Sequence, residues 1–81
     1  MKGYMYILEC ANSKYYTGST IDLERRIAQH QEGEGANFTK KHRPVKLVYF
    51  EEFKSIEFAI LKEKQLKAGS RQKKIDLITY L

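Results

Sequence analysis

Tyr4-Met5-Tyr6-Ile7-Leu8 and Tyr15-Tyr16-Thr17-Gly18 are the two segments that decide the fold, and residues 22–30 follow them directly. The side chains of the first segment alternate between two faces, which is the pattern of a β-strand. Ala11-Asn12-Ser13-Lys14 has the composition of a turn, so the second segment is expected to return as the other arm of a hairpin. Cys10, at the end of the first arm, is expected to serve as a small hydrophobic residue.

A helix is expected directly after the hairpin, with Ser19 or Thr20 as its N-cap and its end near Gln31. Arg25 points away from the face that this helix turns to the sheet. That face carries four residues at helical spacing: Leu23, Arg26, Ile27 and His30. A guanidinium and an imidazole are therefore expected beside the apolar side of the helix.

The middle of the chain combines a polar loop with a strongly apolar strand. Residues 32–43 form the loop, which contains two glycines and a basic cluster and is closed by Pro44. Residues 45–53 contain a run that is apolar on both faces: Leu47, Val48, Tyr49 and Phe50. This pattern predicts a third strand at the centre of the sheet, covered on both sides.

Two further helices are expected in the last third of the chain. Ser55 caps the first of them, and Gly69 stands where its C-terminal cap belongs. Its apolar stripe is formed by Ile56, Ala59, Ile60 and Leu66. Glu63 lies within that stripe, and Ser70 opens the second helix. The inward residues of the second helix are Ile75, Ile78 and Leu81.

The element order is strand, strand, helix, strand, helix, helix. It predicts a small α/β (α+β) sandwich, in which a three-stranded, mainly antiparallel sheet is flanked by three helices on its two faces. A chain of 81 residues is expected to form one domain over residues 1–81, because two cores of half that size would be too small to stand alone.

The net charge of +5 is unevenly distributed. Residues 1–39 carry four basic and five acidic side chains, so the remaining eleven basic and five acidic ones belong to residues 40–81. The second half therefore offers a basic surface to a polyanion such as nucleic acid. The alternative is that this charge serves only solubility.

The apolar runs are too short to span a bilayer, and the N-terminal residues lack the features of a signal peptide. The single cysteine cannot form an internal disulfide. We therefore expect a cytoplasmic protein with a reduced thiol.

Glu63 is the most informative single position, because a carboxylate in an apolar stripe needs a partner. Either it pairs with Lys62, Lys64, Lys67 or a core arginine, or it binds a metal. Arg26 presents two similar alternatives. Its planar guanidinium suits phosphate oxygens, or its stem packs on the sheet while its charge reaches water.

His30 and the tyrosines also have two interpretations each. His30 is either a proton carrier or a partly exposed residue at a helix end. Tyr6 and Tyr16 either pack across the hairpin or act in catalysis, for which a nearby cation would have to favour the phenolate.

The last helix begins with cations that either meet a phosphate or form a solvated face: Arg71, Lys73 and Lys74. Zinc-ligand spacing, a phosphate-binding glycine loop, a Ser-His-Asp order and a glycosidase-type carboxylate pair are all absent from the sequence.

Taken together, these segments resemble the GIY-YIG nuclease family, and closely resemble its short single-domain bacterial members. Five stretches carry the resemblance: Tyr4-Met5-Tyr6, Tyr16-Thr17-Gly18, residues 22–27 with His30, residues 33–39 with residues 44–49, and residues 61–67. The first departs from Gly-Ile-Tyr at its first two positions, and Thr17 replaces isoleucine in the second. The resemblance covers essentially the whole chain.

The resemblance implies a role for each candidate catalytic residue. Tyr6 would accept a proton or position a water, and Tyr16 would provide a second hydroxyl near the scissile phosphate. Arg26 would stabilise charge, and His30 would assist proton transfer or orient the nucleophile. Glu63 would hold one divalent cation, Mg²⁺ or Mn²⁺, with waters completing its coordination.

The function expected from these features is metal-dependent endonuclease activity that hydrolyses phosphodiester bonds in DNA. The alternative is a non-catalytic adaptor that binds DNA or RNA and retains the nuclease fold. A protein partner that supplies target specificity is a further possibility. The residues expected to contact nucleic acid are Lys40, Lys41, Arg43, Arg71, Lys73 and Lys74.

Overall fold

The computed structural model describes residues 1–69 and 71–79 as an α+β fold built on one three-stranded antiparallel sheet. In chain order its elements are β1 (Gly3–Glu9), β2 (Tyr15–Thr20), α1 (Leu23–Gln31), α2 (Asn37–Lys41), β3 (Lys46–Phe53), α3 (Ile56–Ala68) and α4 (Arg71–Thr79). The predicted fold class and element order are confirmed. The difference is the short helix α2, which lies within the segment predicted as a polar loop.

The strand order is β2-β1-β3, so β1 is the central strand. Tyr6 lies opposite Gly18 on one side and Phe50 on the other. The prediction that the third strand is central was therefore wrong. Strand β3 lies at an edge, and Phe50 within it is 51% exposed. Strand β3 has apolar residues on both faces, as a central strand does. The sequence pattern alone therefore does not distinguish an edge position in the sheet from a central one.

The two faces of the sheet support two cores. The core on the α1 side contains Tyr6, Leu8, Cys10, Val45, Tyr16, Leu23, Ile27 and Leu47. The core on the side of α3 and α4 contains Met5, Ile7, Leu66, Tyr15, Val48, Tyr49, Phe53, Leu77 and Ile78. Cys10 follows β1 directly, and burial raises the pKa of its thiol, so it behaves as the predicted hydrophobic residue. Each face of β1 therefore supplies side chains to its own helical layer.

Helix α1 is capped by Asp22 rather than by Ser19 or Thr20. The Asp22 carboxylate accepts a hydrogen bond from the backbone N–H of Arg25 at 3.2 Å. The Thr20 hydroxyl instead accepts a hydrogen bond from the backbone N–H of Asp22 at 3.1 Å. Strand β2 therefore extends to Thr20, beyond its predicted end, and α1 begins at Leu23, later than predicted.

Helix α3 turns Ala59 and Leu66 into the second core, as predicted, but Ile60 is 37% exposed and lies outside the inward face. Ser55 occupies the N-cap position without a side-chain capping bond, and Gly69 ends the helix. In α4, Ile78 packs on the second core, as expected, and Ile75 is half-buried.

The predicted start of the last helix at Ser70 and the inward position of Leu81 lie outside the described residues. Among the helices of residues 1–69 and 71–79, none is long and apolar enough to cross a membrane.

Candidate active site

Three aromatic rings meet on the α1 side of the sheet. The ring centroid of His30 lies 5.7 Å from that of Tyr6 and 5.3 Å from that of Tyr16. His30 is 0% exposed, so the interpretation of a partly exposed helix-end histidine was wrong. The tyrosines of adjacent strands and the last turn of α1 therefore form one cluster.

A chain of hydrogen bonds fixes the tautomer of His30. Thr39 donates its single hydroxyl hydrogen to the carbonyl of Ala36 at 2.9 Å, so its oxygen accepts from Nδ1–H of His30 at 2.7 Å. Nε2 of His30 then has a free lone pair, which accepts the Tyr6 hydroxyl at 2.8 Å. Tyr6 is consequently the proton donor and His30 the proton acceptor of this pair.

Burial keeps both members of the pair uncharged at neutral pH. It lowers the pKa of His30 to about 4, with the positive charge of Arg26 acting in the same direction. It raises the pKa of Tyr6 to about 12, against the opposing effect of Arg26. Tyr6 is therefore a phenol, and it can take a proton from another group only as its own proton passes to His30.

Two glycines make room for the Tyr6–His30 pair. A Cβ atom at Gly18 would collide with the Tyr6 hydroxyl, and one at Gly35 would collide with Nδ1 of His30. Gly18 is the glycine of the Tyr16-Thr17-Gly18 motif, and this close approach explains why that position needs a residue without a side chain. Gly35 lies in the stretch 33–39 that carries part of the resemblance, but its contact with His30 is visible only in the fold.

Helix α2 closes the cluster from the side of the loop. It places Thr39 against His30, and the ring of Phe38 stacks on that of Tyr16 at a centroid distance of 6.5 Å. Sequence reasoning missed Thr39, because a threonine in a polar loop carries no pattern that points to a histidine nine positions earlier.

Arg26 lies half-buried beside the cluster. Its Nη1 donates to Oε1 of Gln29 at 3.1 Å, and its positive charge opposes the rise in the pKa of the Tyr6 hydroxyl. Arg25 is exposed and borders the same shallow surface depression. Of these two neighbouring arginines, Arg26 therefore reaches the buried pair.

Glu63 approaches from α3, in the opposite helical layer. Its Oε1 accepts from the Ser19 hydroxyl at 2.6 Å, and its Oε2 forms an ion pair with Lys67 at 2.7 Å. The Lys67 ammonium also lies 5.8 Å from the centroid of the Tyr16 ring. Lys67 thus connects Glu63 to the tyrosine cluster around the free edge of β2.

A comparison with known families agrees with this arrangement. The GIY-YIG catalytic domain model matches residues 2–76. The chain belongs to the GIY-YIG family. Membership in the GIY-YIG family implies a nuclease-type function in general and suggests binding of nucleic acid.

Relatives of the same length place this GIY-YIG chain with the UPF0213 proteins. A UPF0213 protein of Staphylococcus saprophyticus is 46% identical over 78 residues, which cover 96% of this chain and 95% of the relative. A UPF0213 protein of Staphylococcus haemolyticus is 47% identical over 77 residues, which cover 95% of this chain and 94% of that relative.

Solved structures have the same fold. The solution NMR structure of a UPF0213 protein from Bacillus halodurans has a TM-score of 0.65 at 42% identity and covers 99% of this chain and 85% of its own. The solution NMR structure of a protein from E. faecalis has a TM-score of 0.64 at 31% identity, and the match covers 99% of this chain and 86% of that protein's chain. Both identities are high enough for the likeness to extend beyond the fold to the family.

GIY-YIG nucleases are generally metal-dependent. Among the described residues, no group of three His, Cys, Asp or Glu side chains could hold a metal. Mg²⁺, however, is commonly bound by one or two carboxylates, with waters and substrate phosphates completing its coordination. The Glu63 carboxylate, 17% exposed on its side chain and next to the Ser19 hydroxyl, offers such a ligand once Lys67 yields one oxygen.

The residues expected to contact nucleic acid lie on α2, on the loop that follows it and on α4. Lys40 and Lys41 are exposed at the end of α2. Arg43 donates to the carbonyls of Lys40 at 3.4 Å and Gln31 at 3.3 Å, and so braces the loop.

In α4 the basic residues divide between two sides of the helix. Arg71 and Lys74 line a cleft beside the hairpin turn, whereas Lys73 lines a separate depression with Asp76. The hairpin residue Lys14, which sequence reasoning missed, lies in the cleft with them.

The free energy of unfolding is expected to fall as the pH is lowered from about 6.5 towards about 4. His30 has a depressed pKa in the fold, of about 4, so in this interval the unfolded chain binds a proton that the folded protein does not. The contribution of His30 is at most about 1.4 kcal/mol per pH unit. Urea unfolding at pH 7, 6 and 5 measures it.

The chain offers a matched control in its other histidine. His42→Gln controls for the loss of a histidine side chain, because the His42 ring is only partly buried. His30→Gln should be less stable at pH 7 and should lose most of the dependence above pH 5. An unchanged pH dependence in His30→Gln would show that His30 does not titrate as inferred.

Proposed function

We propose that this protein is a divalent-metal-dependent endonuclease that hydrolyses phosphodiester bonds in DNA. The observation that carries the proposal is the buried hydrogen bond from Tyr6 to Nε2 of His30, with Arg26 beside it. A buried phenol and a neutral imidazole of fixed tautomer provide a path for one proton. The adjacent guanidinium provides a site for the charge of a phosphate.

Arg26 is the group proposed to bind the scissile phosphate. Its side chain is half-buried, so its charge acts in an environment where it is less screened than at the surface. Its planar fork can contact two phosphate oxygens at once. As water attacks phosphorus and the ester bond breaks, the added negative charge develops on these oxygens. The arginine therefore stabilises the transition state more than the substrate.

Tyr6 and His30 are proposed to remove the proton of the attacking water. The water donates to the Tyr6 oxygen while the phenolic proton passes to Nε2 of His30. In the free protein the positive charge of Arg26 opposes protonation of His30. A bound phosphate offsets that charge, so the proton affinity of His30 rises when substrate is present.

Access to the Tyr6 hydroxyl depends on Arg26 in this mechanism. Tyr6 is 1% exposed, so its hydroxyl lies near the charge of Arg26 and away from bulk water. A phosphate that draws the guanidinium outward would admit one water to the hydroxyl. Proton removal would then be coupled to substrate binding.

Tyr16 and Glu63 complete the proposed site. Tyr16 places a second hydroxyl on the same face of the hairpin as Tyr6 and packs against His30. Glu63, held by Ser19, is the proposed ligand of Mg²⁺ or Mn²⁺. When bound there, the ion would add positive charge at the phosphate oxygens.

A second candidate function is a non-catalytic nucleic-acid-binding adaptor, and one observation favours it. The only carboxylate proposed for the metal is already paired with Lys67 at 2.7 Å. If that pair persists in the presence of metal and nucleic acid, the basic residues would bind a strand without cutting it. In either case a protein partner that supplies target specificity is compatible with so small a domain.

Arg26→Ala is expected to slow cleavage of DNA in Mg²⁺ or Mn²⁺ by about 10²- to 10³-fold, because it removes the charge that stabilises the transition state. Single-turnover assays on single-stranded and hairpin DNA measure the rate. Arg25→Ala is the control, since it removes the same charge from an exposed neighbour, and we expect its rate to stay within a few-fold of wild type. Equal rates in wild type and Arg26→Ala would remove Arg26 from the mechanism.

A further inference from the structure

A second cleft lies beside the hairpin turn, next to the edge strand β2. It has a volume of about 420 Å³ and is formed between the turn and the start of α4. Its charged lining residues are Lys14, Arg71 and Lys74, and Tyr15 forms part of its wall. Nothing in the proposed proton path or metal site uses these residues.

The described residues that line the cleft carry a net positive charge. Within residues 1–69 and 71–79, no acidic side chain lines the cleft, and the ion pairs are Lys2 with Glu52 and Lys67 with Glu63. Partial burial and the nearby charge of Lys67 lower the pKa of Lys74. An anion in the cleft would offset this repulsion.

Arg71 is held in place before any ligand arrives. Its guanidinium lies over the ring of Tyr15 at 5.4 Å from the centroid, and its Nη2 donates to the carbonyl of Ser13 at 3.1 Å. The turn that presents this carbonyl is itself fixed, because Asn12 Oδ1 accepts from the backbone N–H of Lys14 at 3.2 Å. The remaining guanidinium N–H groups are left to bind a planar pair of oxygens.

The cleft adjoins the candidate active site across one strand. Tyr15 and Tyr16 are consecutive in β2, so their side chains point to opposite faces at its free edge. Lys67 lies near both sites, since its ammonium is 5.8 Å from the Tyr16 ring centroid and its charge affects Lys74. A strand that crosses this edge would meet both groups of cations.

We propose that this cleft binds a second backbone phosphate of the same nucleic-acid strand, adjacent to the phosphate at Arg26. The inference rests on the proposed function and names its substrate as an oligonucleotide strand that spans both sites. A phosphate is favoured over a base, because three cations line the cleft and the Arg71 guanidinium already lies over the Tyr15 ring. Mononucleotide phosphodiesters would engage only the first site.

The test is fluorescence anisotropy of a labelled ten-residue oligothymidylate, with chelator present so that no cleavage occurs. Arg71→Ala is expected to weaken binding about tenfold, the effect of one lost charge-assisted contact. The slope of log affinity against log salt concentration should fall by about 0.7, the value for one phosphate contact on a single strand. Lys74→Ala and Lys14→Ala should act in the same direction.

Lys54→Ala is the matched control, because it removes one positive charge from an exposed residue that does not line the cleft. Its affinity and salt slope should remain those of wild type. Equal losses in Lys54→Ala and Arg71→Ala would mean that only net charge matters and would overturn the inference, as would absence of binding by wild type. If Arg71→Ala does not fold, the affinity and salt slope of Lys74→Ala, compared with those of Lys54→Ala, test the inference instead.

Cleavage measured in parallel separates this inference from the proposed function. If the wild-type protein cuts DNA and the cleft variants bind it normally, the inference that the cleft binds a phosphate is refuted, and the proposed nuclease function stands. If the wild-type protein never cuts DNA but the cleft variants lose affinity as described, the nuclease proposal is refuted. Phosphate binding by the cleft is then still supported.

Discussion

Tyr6→Phe is expected to lower the rate of DNA cleavage by about 10²- to 10⁴-fold, the range associated with loss of a general acid–base group. The substitution removes the hydroxyl that donates to Nε2 of His30 at 2.8 Å and leaves the ring in place. Single-turnover cleavage at saturating protein measures the chemical step. It should be run well below the unfolding temperature, because the buried Nε2 loses its partner at a cost of about 1–3 kcal/mol.

Tyr4→Phe is the control for that experiment. Tyr4 precedes Tyr6 by two residues on the same strand, and its hydroxyl donates to Glu52 Oε1 at 3.1 Å near the surface. We expect Tyr4→Phe to cleave at the wild-type rate. If Tyr6→Phe retained more than about a third of the wild-type rate, the proton would have to leave by another route.

Glu63→Gln is expected to abolish divalent-ion binding and to lower cleavage by about 10²- to 10³-fold, because the amide keeps the shape of the side chain but not its charge. Line broadening by Mn²⁺ in NMR spectra, centred on Ser19 and Leu66, measures binding independently of activity. In Lys67→Met, Oε2 of Glu63 loses its ion-pair partner, so the ion should bind more tightly than in wild type.

Glu57→Gln provides the matched control, since Glu57 is an exposed glutamate at the start of the same helix. It should bind Mn²⁺ and cleave DNA as wild type does. Broadening that persists in Glu63→Gln would place the ion elsewhere. Unchanged cleavage in Glu63→Gln would contradict its proposed role as a metal ligand.

The hairpin and the first helix could be predicted because their signals are local. Strand alternation, a four-residue turn and helical spacing each depend on neighbours in sequence. The position of β3 could not be predicted in this way. Its pairing with β1 is set by packing between distant segments, so an apolar edge strand has the same pattern as a central one.

The candidate site was predictable as a set of residues but not as a geometry. Helical spacing placed Arg26 and His30 on one face, and the stripe of α3 singled out Glu63. The direction of the proton path depends on Thr39, whose contact with His30 requires the chain to turn back through α2. The depressed pKa of His30 follows from the same closure.

The pairing of Glu63 with Lys67 was one of several alternatives open to sequence reasoning. Lys62, Lys64 and Lys67 all lie within one helical turn or so of the carboxylate. The structure pairs it with Lys67, which lies four residues later on the same helical face, whereas Lys62 and Lys64 are sequence neighbours that point elsewhere. Lys67 also faces Tyr16 across the edge of β2. This connection joins the two helical layers at the candidate site.

The central claim is that Tyr6, Arg26, His30 and Glu63 form one phosphodiester-cleaving site. Its most direct test is conversion of circular single-stranded DNA to linear products by wild-type protein in Mn²⁺, compared with a Tyr6→Phe/Glu63→Gln double variant purified identically. We expect linear products from wild type, none with chelator, and none from the double variant. Equal amounts of product from both proteins, or none from a wild-type protein that binds the DNA, would contradict the claim.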